Sequence, residues 1–167
     1  MFNGVKEWYY DTVTDVQNAI SSSENQFVSY DKLLKKANPG DLIEFCRGPY
    51  NHWAMMSEEN GKVYNICAES KECTQAEIKL QTLKYVCELG PTADRQRARV
   101  NNKEGFRGLL PNLMTADLEP LPVEESIEMA REMLGTFVEY SFTGKNCEYY
   151  CTLWKFGRGY TDQALRY

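Results

Sequence analysis

A single histidine, His52, is all that the 167 residues contain, so chemistry assisted by an imidazole has one candidate. Long apolar runs are missing too. No stretch of about 18 apolar residues occurs, which excludes a membrane-spanning helix in the chain as given. The N-terminus, MFNGVKEWYYDTVTDV, has no basic cap, apolar run or small-residue cleavage site, so it does not read as a secretory signal. Basic charge is in deficit: 19 Lys and Arg face 24 Asp and Glu, for a net charge of −5, which argues against nucleic acid as a partner. Internal repeats and low-complexity segments are absent, and nothing marks a second domain.

What is present describes a compact soluble domain, with 43% hydrophobic and 26% charged residues. A chain this long buries roughly 70% of its unfolded surface and needs neither disulfide nor metal to hold a core. The six cysteines, at 46, 67, 73, 87, 147 and 151, lack an export signal beside them and read as free thiols in a reducing, cytoplasmic compartment. They contain no CxxC pair, and with one histidine available no metal site is expected.

Val5, Trp8, Tyr9, Val13, Val16 and Ile20 recur at helical spacing, and a short second helix falls around Tyr30 to Lys36. Asn38-Pro39-Gly40 is a turn signal. The segments DLIEFC, HWAMM and VYNIC then read as strands, the last two joined by a hairpin through Asn60-Gly61, and a further strand is expected over Ile78 to Leu89. Residues 90–122 read as loop with a short strand near Arg99 to Asn101. A helix enters at Leu121-Pro122-Val123 and carries Ile127, Ala130, Met133 and Leu134 to its stop at Gly135. The strand TFVEYSF follows, and a last helix opens at Asn146-Cys147 with Cys147, Tyr150, Cys151 and Trp154 on one face. This order is the α+β pattern.

Thiol catalysis needs a cysteine that can ionise, an imidazole to exchange its proton and a polar group to orient that ring. Cys147 meets the first need best, because a turn places it at a helix N-terminus, where unpaired N–H groups favour an anion. His52 opens an apolar strand, and Asn65 lies across the expected hairpin, where its amide oxygen can accept from the ring. The plainer readings stay open at this level: small buried thiols, a structural histidine and a hydrogen-bonding asparagine.

The string PGDLIEFCRGPYNHWAMM resembles the entry motif of the lecithin:retinol acyltransferase family. Downstream, VNNKEG resembles its Val-Asn-Asn-Lys segment, and NCEYYCTLWKFGRGYTDQ its Asn-Cys-Glu motif with a late Asp-Gln. Three motifs in order span residues 38 to 163, and the nearest branch is the H-Ras-like suppressor group of phospholipase A/acyltransferases. The resemblance implies one α+β domain of circularly permuted papain-like fold, an antiparallel sheet packed on helices, over residues 38–167, with residues 1–37 as an N-terminal helical extension.

Carried over by position, Cys147 is the nucleophile and His52 its base. The family's third residue, commonly histidine, falls on Asn65 once one extra residue is allowed in the hairpin turn; asparagine orients a ring but cannot titrate. Tyr50, Arg47 and Asn146 match positions near the family's substrate and oxyanion site, and Tyr149 stands where histidine is usual. The implied activity is ping-pong transfer of an acyl chain from a glycerophospholipid to water, an amine or a lysophospholipid, with no cofactor. Phospholipid and a membrane surface are the implied partners, with Phe106, Leu109, Leu110, Leu113 and Met114 expected at the lipid. Family members commonly carry a hydrophobic tail after the Asp-Gln motif; such a tail would either lie beyond Tyr167 or never have been part of the protein. Two alternatives accompany this reading: an interaction protein that kept the fold without the chemistry, as in picornaviral relatives with His and Asn-Cys motifs, and a cysteine peptidase or amidase.

Overall fold

The computed structural model describes residues 26–90, 92–103 and 119–162. The first expected helix and the five apolar residues from Phe106 to Met114 lie outside the described residues. The described elements are α1 (Tyr30–Leu34), β1 (Leu42–Cys46), β2 (Asn51–Met56), β3 (Lys62–Cys67), β4 (Gln75–Thr82), α2 (Leu83–Glu88), β5 (Ala98–Val100), α3 (Val123–Met133), β6 (Phe137–Glu139) and α4 (Cys147–Phe156). The strands form one antiparallel α+β sheet in the order β5-β1-β2-β3-β4-β6.

Both faces of the sheet are covered, so its central strands read as nearly continuous apolar runs rather than alternating ones. Leu42, Trp53, Met55, Tyr64, Ile66 and Ile78 pack with Ile127 and Ala130 of α3 and with Tyr150, Cys151 and Trp154 of α4. Ile43, Phe45, Ala54, Met56 and Val63 point the other way, onto Leu33 of α1 and Leu83, Val86 and Cys87 of α2. Val28 bridges to Ala98, so residues just before position 38 are part of this packing.

Two expectations about strand ends are corrected. The segment Ile78 to Leu89 is not one strand: β4 ends at Thr82, whose hydroxyl accepts from Tyr85 N at 3.2 Å and caps α2. Leu83, Val86 and Cys87 then bury one side at helical spacing, which a short apolar run does not distinguish from a strand by eye. The strand TFVEYSF shrinks to Phe137–Glu139, because its partner β4 starts at Gln75, opposite Glu139. Residues 140–142 leave the sheet for a turn in which Lys145 N donates to Ser141 Oγ at 2.9 Å.

One carboxylate sits in the middle of β1. Glu44 is 1% exposed and accepts from Arg99 Nε at 2.7 Å, Asn101 Nδ2 at 2.9 Å and Asn51 Nδ2 at 2.6 Å. Burial alone would raise its pKa, but these donors outweigh it and hold the carboxyl below its ordinary value. Nearby, Asn102 Oδ1 accepts from Leu42 N and its Nδ2 donates to Asp41, tying the segment after β5 to the turn before β1.

Because the folded pKa of Glu44 lies below its unfolded value, its stabilisation is full above the ordinary carboxylate range and fades as pH falls through the folded value. Glu44→Ala strands three donors and is expected to cost about 3 kcal/mol at pH 7, read by urea denaturation. The deficit should narrow toward pH 3; an equal deficit at both pH values would contradict this account.

Candidate active site

The β2–β3 ladder covers Ala54↔Asn65, Met55↔Tyr64 and Met56↔Val63, whereas β1 follows β2 down to Asn51. At its first three residues, therefore, β2 parts from β3 and the sheet opens. Met56 N donates to Asp41 O on the β1 side, so by alternation Asn51 and Trp53 turn their backbone groups toward the β3 side. The Cys147 sulfur enters there, 4.0 Å from Asn51 O.

Cys147 is held by the start of α4. Asn146 is the N-cap: its Oδ1 accepts from Tyr149 N at 3.1 Å, and its Nδ2 donates to Phe142 O and Thr161 Oγ1 at 3.0 and 3.1 Å. Gly157, at φ 72°, ends the helix in the left-handed conformation that favours glycine. Burial pushes the Cys147 thiol up to about 12, against the pull of the Trp53, Glu148 and Cys147 backbone N–H groups that face it. The thiol rests protonated.

His52 reaches the same opening from the opposite face of the sheet, its ring 5.7 Å from that of Phe45. Its Nε2 lies 3.2 Å from Asn65 Oδ1, one step diagonally across the hairpin. The tautomer follows from Asn65, whose Nδ2 donates to Gln81 Oε1 at 3.0 Å and to the Lys79 carbonyl at 3.4 Å. That leaves Oδ1 for the ring, so Nε2 carries the hydrogen and Nδ1 keeps its lone pair. Burial and the nearby Arg47 cation push the imidazole down to about 4, with the Asn65 bond pulling the other way. No hydrogen bond joins the sulfur to the ring in this structure.

Cys147, His52, Asn65, Asn146, Tyr50 and Arg47 all line one cleft of about 570 Å³. Tyr50 stands edge-on to Phe142 at 5.6 Å, and the Arg47 guanidinium donates to the Val86 and Cys87 carbonyls at the end of α2. Tyr149 lies away from the cleft, its ring against Gly159 and edge-on to Tyr150. The sequence reading missed Leu89, Arg95, Tyr140 and Phe142, which also line the cleft. In sequence the aromatic pair reads as part of the strand TFVEYSF, and the only signal for Arg95 is its place in an irregular, charged stretch. Among the described residues no cluster of His, Cys, Asp and Glu is suited to a metal, and no helix is long and apolar enough to cross a membrane.

Comparison with known proteins adds ancestry to this geometry. Residues 35–160 match the profile of the family described as Lecithin retinol acyltransferase. Among curated relatives, phospholipase A and acyltransferase 1 from Rattus norvegicus is 34% identical over 140 residues, which cover 77% of this chain and 74% of the relative. The Homo sapiens protein of that name is 34% identical over 139 residues, covering 77% and 73%. Phospholipase A and acyltransferase 4 from Homo sapiens is 29% identical over 133 residues, covering 78% and 76%.

With one histidine in the chain, its ring resonances in an NMR pH titration belong to His52 alone. They are expected to report the Nε2–H tautomer and a midpoint near pH 4, not 6.5. The folded ring stays neutral while the unfolded chain takes a proton, so this group's contribution to stability is full above pH 6.5 and falls as pH drops toward 4. A midpoint at 6.5 would mean that the ring is neither buried nor near the Arg47 cation.

Proposed function

The chain belongs to the lecithin retinol acyltransferase family, and on that premise we propose that it is a thiol-dependent phospholipase A and acyltransferase. One observation carries the reading: the Cys147 sulfur, at the N-terminus of α4, shares a cleft with an imidazole whose proton-bearing nitrogen is fixed by Asn65. That leaves Nδ1 as the base. Apolar walls from Ile66, Leu89 and Phe142 suit an acyl chain.

In the first half-reaction Nδ1 takes the Cys147 proton as the sulfur attacks an ester carbonyl carbon of a glycerophospholipid. The new C–S bond pushes the carbonyl electron pair onto oxygen, beside the backbone N–H groups that face Cys147. Collapse re-forms the carbonyl and breaks the C–O bond, and the departing lysophospholipid takes the proton from His52. In the second half, water, an amine or a hydroxyl gives a proton to His52 and attacks the thioester carbon; breaking C–S returns the acyl product, and the thiol regains the proton.

Because thiol and imidazole both rest neutral, activity should not follow a thiolate–imidazolium pair formed in advance. The acid limb of kcat/KM is expected near pH 4, where the ring gains its proton. Incubation with phosphatidylcholine vesicles should add one acyl mass to the intact protein, and Cys147→Ala should remain unmodified. His52→Ala should slow adduct formation by roughly 10²-fold or more. Asn65→His should retain more activity than Asn65→Ala, because it can still orient the ring. A wild type that stays as unmodified as Cys147→Ala would sink the proposal and leave a non-catalytic member of the family.

A further inference from the structure

The charge on the cleft runs against that of the chain. In a protein of net charge −5, the described residues that line this cavity include two arginines and no carboxylate. Arg47 is 7% exposed; its guanidinium spends two contacts on carbonyls at the end of α2 and rests 5.4 Å from the Phe45 ring centre. Neither arginine forms an ion pair with any described residue.

Missing side chains leave room for both arginines on the same wall. Arg95 lies against Gly48, where an added Cβ would stand 2.4 Å from its Nη1, and Gly48 follows Arg47 in sequence. At Gly90 a Cβ would meet the Arg95 carbonyl at 2.6 Å and Arg47 Nη1 at 3.3 Å. Across the opening, Lys71 Nζ sits over the rings of Tyr50 and Phe142 at 5.8 and 5.1 Å. Both guanidinium groups face this one cleft with no described carboxylate beside them, and burial already lowers the Arg47 pKa. An anion held there would supply the counter-charge, and the planar guanidinium fork matches the oxygens of a phosphate.

We propose that Arg47 and Arg95 form a phosphate subsite, which receives the head-group phosphodiester of a glycerophospholipid while its ester carbonyl lies at Cys147. The inference rests on the lipid reading of the cleft and deepens it. Arg95, at the exposed rim, is the specificity-determining member; Arg47 also braces α2. Substrates that share acyl chains but lack phosphate are then discriminated against, and the discrimination weakens in salt.

The experiment compares acyl release from phosphatidylcholine and from diacylglycerol of the same chains, presented in matched detergent micelles. Arg95→Gln should lower the phosphatidylcholine-to-diacylglycerol ratio of kcat/KM roughly 10-fold, chiefly through KM for the phospholipid. An unchanged ratio would overturn the subsite. Arg47→Gln should lower the ratio further; because that variant also frees the end of α2, the surface substitution at Arg95 carries the test. A second measurement needs no turnover and separates failure of the subsite from failure of the lipid reading. Glycerol 3-phosphate should shift the His52 ring resonances of the wild type, and the shift should shrink at least several-fold in Arg95→Gln. No shift, or an equal shift in both proteins, would overturn the subsite whatever the activity. Inorganic phosphate should act more weakly than glycerol 3-phosphate; equal strength would overturn the head-group assignment in favour of a free-phosphate site.

Discussion

Beneath the cleft, one buried cation ties together three distant parts of the chain. Lys103, 5% exposed, donates to Glu148 and, at 3.0 Å, to Asp162, and its ammonium lies 4.5 Å from the Trp53 ring centre. Glu148 is itself 2% exposed and also accepts from Thr161 Oγ1 at 2.7 Å and Asp162 N at 3.2 Å. Charges this deep are costly to desolvate and are tolerated only when nearly every lone pair and proton is matched, which makes the arrangement intolerant of slippage. Lys103 even holds a φ of 63°, unusual for a side chain that is not glycine, with its N–H on Asn101 Oδ1. The consequence reaches the site directly. Glu148 follows Cys147, so fixing the carboxylate fixes the first turn of α4, and Trp53 follows His52 on the strand that the ammonium rests upon.

The same cluster explains what could be read in the sequence. Val-Asn-Asn-Lys, Asn-Cys-Glu and the late Thr-Asp are separate strings in one dimension; in space they are donor and acceptor sides of one network. Glu44 plays the corresponding part for the entry motif, binding Asn51 on one side and Arg99 and Asn101 on the other. Residue types with demanding partners leave recognisable patterns because few substitutes satisfy the same hydrogen bonds. The hairpin was legible for another reason: Asn60-Gly61 sets a turn, Gly61 adopts φ 74°, and register then places Asn65 on the face of His52. The last helix announced both ends, through Asn146 and Gly157.

What escaped the sequence reading was whatever depends on where pairing stops. Strand propensity continues through Tyr140 and Phe142, but pairing runs out after the Tyr140 N–H reaches the Thr74 carbonyl just before β4, and both side chains become part of a wall of the cleft. Thr82 could end a strand or cap a helix; its hydroxyl settles that only through the Tyr85 N–H. The opening between β2 and β3 has no signature at all, since Trp53 and Ile66 look like ordinary strand residues. Arg95 was illegible for the same reason, because the place of its guanidinium on the cleft wall depends on space left above Gly48.

Electrostatics then constrain how such a site can work. Burial holds the thiol high and the imidazole low, and Arg47 adds to the second effect by opposing a positive ring. The same cation is close enough to interact with Cys147. A field that disfavours imidazolium and favours negative charge on sulfur or oxygen does not support a resting ion pair; under the proposed reaction it would lower the energy of the anionic tetrahedral species relative to the free site. In the proposed reaction, proton transfer would therefore be best coupled to attack, when the charge leaving sulfur appears on the carbonyl oxygen. Asparagine at position 65 suits that sequence. Its amide keeps a fixed donor side toward Lys79 and Gln81 and a fixed acceptor side toward Nε2, so the ring presents a basic Nδ1 throughout, with no second titrating group to change the tautomer.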